Sequence, residues 1–285
     1  MEIRFWGVRG SVASSGPGLA RVGGNTSCVE VVSGGHRLIF DAGTGIRALG
    51  EQLLREGRPV RASLLFSHLH WDHVQGFPFF TPAYLASTEL TLRGPGPDGA
   101  SELEAALERQ MQPPGFPVNL AAMRAKLRFA SAHDGHEWRE GPFRVVPFAL
   151  PHPNGSMGYR VEADGGVFVY ATDVELSASD LAPEIAHGMR GADVLCLDAQ
   201  YTPEEYAGHA GPCKKGWGHS TMVDAARIAS TVGARRLLLF HHDPAHNDDA
   251  VEQMAEAAKR IFPGAEAARE GMRICAGDVP ARAVA

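Results

Sequence analysis

The chain has 285 residues, 44% apolar and 21% charged, with 27 lysines and arginines against 33 aspartates and glutamates, a formal net charge of −6. That length fits one large domain or at most two small ones, and the acidic balance argues against a dedicated RNA or DNA binder while leaving room for a small phosphate substrate at a metal site. No stretch approaches the roughly 20 apolar residues of a membrane helix, no charged-then-apolar leader follows Met1, and Cys28, Cys196, Cys213 and Cys275 are scattered without a CxxC pair, so a cytoplasmic protein with reduced thiols and no cysteine-rich zinc site is expected.

Residues 1–8 alternate well enough for a first strand, and the Gly-, Ser- and Pro-rich run from Arg9 to Ser27 is a loop. Two apolar runs joined through Ser33-Gly34-Gly35-His36 predict a hairpin. Its second strand ends at Asp41, and Ile46, Leu49 and Leu53 have helical spacing over Ile46–Arg55. Asp41 either bonds loop amides or caps that helix, or stands behind metal ligands and supports them, the expected role. Arg9 is open to substrate contact, to solvation or to ion pairing.

Leu64–Phe66 reads as a buried strand leading into Ser67–Gly76, SHLHWDHVQG. Four potential ligands, His68, His70, Asp72 and His73, fall within six residues, a set that suits zinc, iron or manganese. With the chain extended at Leu69, His68 and His70 point the same way and can share one ion. Asp72 and His73 point elsewhere and can serve a second. Phe77, Phe79, Phe80 and Tyr84 are expected to pack, although they are placed to wall a pocket. Glu89–Leu92 is a short strand. Ser101 with Glu104 has the form of a capping box opening a helix to Gln110. Ala121–Lys126 reads as a further short helix and Leu127–Ala130 as a strand.

Glu137–Phe148 reads as strand around a Gly141-Pro142 turn. His152 follows between two prolines that hold its backbone extended. Strands over Gly158–Ala163 and Val167–Ala171 flank an Asp-Gly-Gly turn, and Asp173 ends the second. Val194–Leu197 is a buried strand, followed by a loop with Asp198, Glu204 and Glu205. Ser220 or Thr221 caps a helix whose apolar face is Met222, Ala225, Ala226 and Ala229. Arg235–Phe240 is the last core strand and runs into His241, His242 and His246. Asp248–Arg260 is an amphipathic helix and Gly271–Ala276 a final strand. Ligand types thus recur at the ends of separate strands in an alternating α/β chain, and such layered folds place their sites there.

HxHxDH after an apolar strand resembles the metal-binding signature of the metallo-β-lactamase superfamily, and His152, Asp173 and His241 fall where that superfamily has its third histidine, its bridging carboxylate and its last ligand. The resemblance covers most of the chain. It implies a four-layered αβ/βα sandwich with two central mixed sheets flanked by helices, one domain over 1–285 with a partly helical insertion around 94–135. It also implies two divalent metal ions, Zn2+ favoured over Mn2+ or iron. His68, His70 and His152 would hold the first, Asp72, His73 and His241 the second, and Asp173 would bridge them, with Asp72 also in the catalytic set. His241 and His242 both remain candidates for the last ligand, His241 being preferred because it directly ends the strand. No cysteine stands at a ligand position, unlike the site of many true β-lactamases.

GWGHST, Gly216–Thr221, is similar to the GHST segment of tRNA 3′-processing ribonucleases and related phosphodiesterases, which implies that His219 donates a proton to the leaving group. Lys214 and Lys215 are candidates for holding a phosphate oxygen. Two metals roughly 3.5–4 Å apart would generate the hydroxide nucleophile and clamp the attacking and leaving oxygens. The tRNA-processing enzymes carry a basic arm, whereas only 20 residues separate His152 from Asp173 here. The opening GVRGS…GGNTSC resembles bacterial proteins grouped with cyclic-phosphate phosphodiesterases. The expectation is therefore a phosphodiesterase for a small diester, cyclic ones included, without nucleic acid as main partner and without a membrane. The 94–135 segment is available to cover the site or to form a homodimer contact. The alternatives are hydrolysis of a lactone, thioester or sulfate ester, and a non-catalytic di-metal sensor.

Overall fold

In the computed structural model, which describes residues 1–277, the first half of the chain forms β1 (Glu2–Gly7), β2 (Cys28–Ser33), β3 (His36–Phe40), α1 (Ile46–Arg55), β4 (Arg61–Leu65), α2 (Trp71–Val74), β5 (Glu89–Pro95), α3 (Gly99–Gln110) and β6 (Lys126–Ala132). The second half forms β7 (Trp138–Glu140), β8 (Phe143–Leu150), β9 (Ser156–Ala163), β10 (Gly166–Ala171), α4 (Pro183–Met189), β11 (Val194–Asp198), α5 (Pro203–Tyr206), α6 (Met222–Thr231), β12 (Arg236–Phe240), α7 (Asp248–Ile261), β13 (Ala265–Ala267) and β14 (Arg273–Cys275).

The strands make two seven-stranded mixed sheets, ordered β14-β1-β2-β3-β4-β5-β6 and β13-β12-β11-β10-β9-β8-β7. In the first, β14 to β3 pair antiparallel and β3 to β6 parallel. In the second, β7 to β10 pair antiparallel and β10 to β13 parallel. The runs VLCL of β11 and LLLF of β12 are apolar at successive positions rather than alternating, as central parallel strands buried on both faces require. The Gly34-Gly35 turn between β2 and β3 has φ of 54° and 80°, which glycine adopts without strain.

The sheets pack through an aromatic core. Phe40 of β3 meets Tyr159, Phe168 and Tyr170 of the second sheet with ring centroids 5.7, 5.8 and 5.2 Å apart. Burying each such ring contributes about 1.5–3 kcal/mol. On the other face of the first sheet, Ile39, Leu64 and Phe66 pack with Ile46, Leu49 and Leu53 of α1 and with Leu103 and Leu107 of α3. Helices α4, α6 and α7 lie on the second sheet. The result is the expected four-layered sandwich.

Some local expectations change. The helix after β5 begins at Gly99 without a side-chain cap, and Ser101 Oγ donates instead to the Asp98 carbonyl at 2.9 Å. A capping box does form at Thr202 and Glu205 of α5. Ala121–Lys126 is not a helix; a single 3-10 turn spans Leu120–Ala122. Helix α4 is an element the sequence pattern did not reveal. The 94–135 segment is built into the first sheet, because β6 pairs with β5 from Glu89↔Lys126 to Pro95↔Ala132.

Candidate metal centre

Ends of strands from both sheets converge on the candidate ligands. The chain leaves β4 through Ser67–His70 and turns at once into α2, where His73 N–H donates to the His70 carbonyl at 3.0 Å. That single turn brings Asp72 and His73 beside the ends of β10 and β12. Ligand atoms of His68, His70 and His152 lie within 4.8 Å of one another, and so do those of Asp72, His73, Asp173 and His241. Asp173 faces both groups. Its Oδ1 is 3.7 Å from His68 Nε2 and 3.8 Å from His152 Nε2, and its Oδ2 is 3.1 Å from His73 Nε2 and 3.3 Å from His241 Nε2. Asp41, Asp173 and His241 have left-handed backbones, with φ of 59°, 53° and 61°. Each costs on the order of 1–3 kcal/mol, a strain that concentrates where a strand end must aim a side chain.

The histidine hydrogen bonds leave nitrogen lone pairs turned toward the centre. His73 Nδ1 donates to Asp41 Oδ2 at 2.8 Å, His152 Nδ1 to the Gly218 carbonyl at 2.8 Å, and His241 Nδ1 to Gln200 Oε1 at 3.0 Å. Ser67 Oγ gives its proton to Asp41 at 2.8 Å and so accepts from His68 Nδ1 at 3.1 Å. An imidazole whose Nδ1 carries the proton presents Nε2 as a ligand. His68 Nε2 is buried without a hydrogen-bond partner, and His73 Nε2, also buried, has only carboxylate oxygens of Asp173 and Asp72 near it, at 3.1 and 3.3 Å and without good hydrogen-bond alignment. Such groups are expensive to bury, and a cation is the partner that fits them.

The electrostatics agree. Burial holds His68 well below its ordinary pKa and also lowers His70 and His152, which keeps these rings neutral as metal ligation requires. Burial would raise Asp173, but His241, His73 and His68 outweigh it and hold the carboxyl well below its usual range. Burial would likewise lower His73, yet Asp173, Asp72 and Asp41 hold it well above. A ring ringed by carboxylates draws positive charge, and a divalent ion supplies it. The residues present therefore fit divalent metal.

Asp41 supports this arrangement from below. It accepts from Ser67 N at 2.7 Å, and from Ser67 Oγ, His73 Nδ1 and Tyr170 Oη at 2.8 Å each. One buried carboxylate thus ties the ends of β3 and β4, helix α2 and strand β10. It does not cap α1, whose N-cap is Gly45 without a side-chain bond. Asp41→Ala strands those donors, and we expect a loss of about 3–5 kcal/mol and a melting temperature about 5–10 °C lower, with metal affinity about 10–100-fold weaker. Thermal melts and metal titration check this, and wild-type values in both would remove the supporting role.

His219 lies beside both ligand groups. Its ring is 5.3 Å from that of His152 and stacks on that of His241 at 4.9 Å. Asp198 Oδ2 accepts from His219 Nδ1 at 2.7 Å, while Asp198 Oδ1 accepts from Ser220 N and Gln200 N. Burial would lower His219, but Asp198, then Asp173 and Asp72, raise it to about 9. The loop before it is braced: Glu175 accepts from Gly216 N, Gly218 N and Tyr206 Oη at 2.9, 2.8 and 2.6 Å. Gly218 has φ +89°, and a Cβ there would collide with the His152 ring. The helix that follows, α6, is capped by Thr221, which accepts from Asp224 N.

Other candidates take different places. His242 points away, with Nε2 donating to the Ala268 carbonyl at 3.0 Å, and burial pushes it down to about 3; the geometry sides with His241 as the inward-facing residue. Arg9 is fully buried and donates to the carbonyls of Gly23, Asp243 and His246. It anchors loops rather than reaching solvent or substrate. Lys214 Nζ sits 4.0 Å from the centroid of the Trp217 ring and 5.5 Å from that of Tyr201, whereas Lys215 is exposed. Phe77 and Phe80 are fully buried, while Phe79 is 55% exposed and meets Phe116 edge-on. The sequence reading had Asp198 only as one acid of a loop and missed Ser67, Gln200 and Glu175. A signal for Asp198 was present, since it ends a buried strand as Asp41 and Asp173 do.

A sandwich of two mixed sheets with a buried His/Asp cluster at its strand ends defines a metal-dependent hydrolase. The description Beta-lactamase superfamily domain matches residues 36–242, and the chain belongs to that superfamily. A Ribonuclease Z from Exiguobacterium sibiricum is 28% identical, over 92% of this chain and 95% of its own length. Among solved structures, the metallo-beta-lactamase fold protein YhfI from Bacillus subtilis superposes with a TM-score of 0.71 at 20% identity, covering 96% of this chain and 98% of its own. The short form of human tRNase Z does so with a TM-score of 0.64 at 19% identity, covering 99% and 100%. Among the described residues no helix is long and apolar enough to cross a membrane.

Proposed function

We propose that the protein is a dinuclear metal-dependent phosphodiesterase acting on a small phosphodiester, cyclic diesters included. The placement of His219 carries this reading. It touches one ligand ring from each group, and Asp198 orients it through Nδ1, so that Nε2 is available to a reacting oxygen.

In this reading His68, His70 and His152 would hold one ion, Asp72, His73 and His241 the other, and Asp173, which faces both groups, would serve both. The imidazole and carboxylate set suits Zn2+ and also accommodates Mn2+ or iron. When bound, two such ions would supply an activated water and charge neutralisation for a phosphodiester. The chain's own residues supply the rest. Asp72 keeps its orientation by accepting from Ser11 N at 2.7 Å. His219 delivers a proton to the departing oxygen, and Asp198 offsets its charge before that transfer. Lys214, which rests on the faces of Trp217 and Tyr201, would hold a phosphate oxygen in this reading.

The relatives named Ribonuclease Z favour a second reading, RNA as substrate. Against it, a tight turn at Asp164-Gly165 joins β9 to β10, so no arm extends between His152 and Asp173, and the chain is acidic. The test is turnover by zinc- or manganese-loaded protein on aryl, cyclic and dinucleotide diesters beside an RNA with a 3′ extension. The small diesters are expected to have the higher kcat/KM. Faster RNA cleavage would replace the small-substrate reading. Full metal occupancy without turnover of any diester would leave another ester, or a di-metal sensor, as the function.

A further inference from the structure

A cavity of about 590 Å³ opens beside the first ligand group. Three segments build it around His68 and His70: the turn from β5 into α3, the end of β8, and the turn that carries the chain from His152 into β9. These walls are firmly set. Gly94 and Gly99 approach so closely that a Cβ on either would collide with the other's backbone, which fixes the start of α3 against the end of β5. Gly96, Asn154 and Gly155 hold left-handed turns with φ of 83°, 68° and 80°. Leu69, Pro95, Ala149, Leu150 and Met157 supply its apolar walls, and Glu102 in the first turn of α3 is its one carboxylate. No lysine or arginine lines it.

We propose that this cavity receives one uncharged aryl or short alkyl substituent of the substrate, and that Glu102 turns anionic substituents away. The inference rests on the proposed function only in placing a phosphorus group at the metal centre. A volume in the range of small-molecule pockets leaves ample room for a ring or short alkyl chain against the apolar walls. A further phosphate in the cavity would meet the Glu102 carboxylate and no lysine or arginine side chain, so the cavity selects against a continuing nucleic acid strand. It also gives the α3 segment a role as the wall that sets specificity.

The experiment measures binding of phosphonates, which resist hydrolysis, to zinc-loaded protein by titration calorimetry. Phenylphosphonate is expected to bind about tenfold or more tightly than methylphosphonate, from burial of the ring. Ala149→Trp, a change at an exposed wall position, should abolish that preference and leave methylphosphonate affinity unchanged. Glu102→Lys should retain the preference and tighten 4-carboxyphenylphosphonate about threefold to tenfold. No binding of phenylphosphonate, equal affinities for the first two ligands, or a preference that survives Ala149→Trp overturns the assignment. An intact phenyl preference in a protein that turns over no diester keeps the cavity and sinks the phosphodiesterase reading. Normal diester turnover without the preference does the reverse.

Discussion

Asp173→Asn is expected to empty both metal positions and lower turnover by about four orders of magnitude, equivalent to about 5–6 kcal/mol of transition-state stabilisation. The reason is geometric. Oδ1 faces His68 and His152 while Oδ2 faces His73 and His241, so one carboxylate serves both groups. Asparagine preserves the shape and tolerates the left-handed backbone at this position. Loss of the charge can therefore be separated from loss of the fold by a circular dichroism spectrum and a melt of the metal-free protein. His68→Ala is the contrasting variant. It removes a ligand from one group only, so it should retain about one ion where the wild type holds about two, with turnover still largely lost. Elemental analysis against protein concentration reads both outcomes. Wild-type metal affinity in Asp173→Asn would break the two-ion assignment, whatever happened to activity.

Much of this cluster was legible because its candidate ligands obey local rules. His68, His70, Asp72 and His73 are dense in one stretch, and His152, Asp173 and His241 each follow an apolar strand, where a layered α/β fold exposes its chemistry. What holds the ligands was less legible. The acceptor for His152 is the carbonyl of Gly218 and that for His241 is Gln200. Neither residue type nor spacing announces such a contact, which exists only once distant strands are packed. Asp41 accepts from His73 Nδ1, one of the candidate ligands, but its bond to Tyr170 on the other sheet could not be read from a strand-end aspartate. The same limit explains the start of α3. Ser101 and Glu104 match a capping box locally, yet the close approach of Gly94 and Gly99 is a tertiary constraint on where the helix opens.

The likeness between the two halves was also hidden. Each sheet has three antiparallel pairings followed by three parallel ones, although the sequence shows no repeat. Backbone hydrogen bonding sets that topology, and many apolar sequences satisfy it equally well. The centre lies where the halves meet. Asp41 and Asp72 come from the first, and Asp173, Asp198 and His241 from the second. A loosening of either sheet is thus felt by both ligand groups.

His219→Ala should retain metal and lose activity selectively. On a diester with an alkyl leaving group we expect about a 10²–10⁴-fold fall in kcat, the ordinary worth of a positioned general acid. On a 4-nitrophenyl diester, whose leaving group departs without help, the fall should be far smaller. Asp198→Asn tests the arrangement more finely. Asp198 Oδ1 accepts from two backbone amides, so the asparagine keeps its carbonyl there and turns its NH2 toward His219 Nδ1. That nitrogen must then accept, which moves the ring proton to Nε2 and removes the carboxylate that stabilised the imidazolium. A loss of about 10²-fold on the alkyl diester is expected, again with metal content preserved. The two variants should share a steep dependence of rate on leaving-group basicity that the wild type lacks. A uniform loss across leaving groups would assign His219 to structure, and an unchanged rate on the alkyl diester would take it out of the reaction.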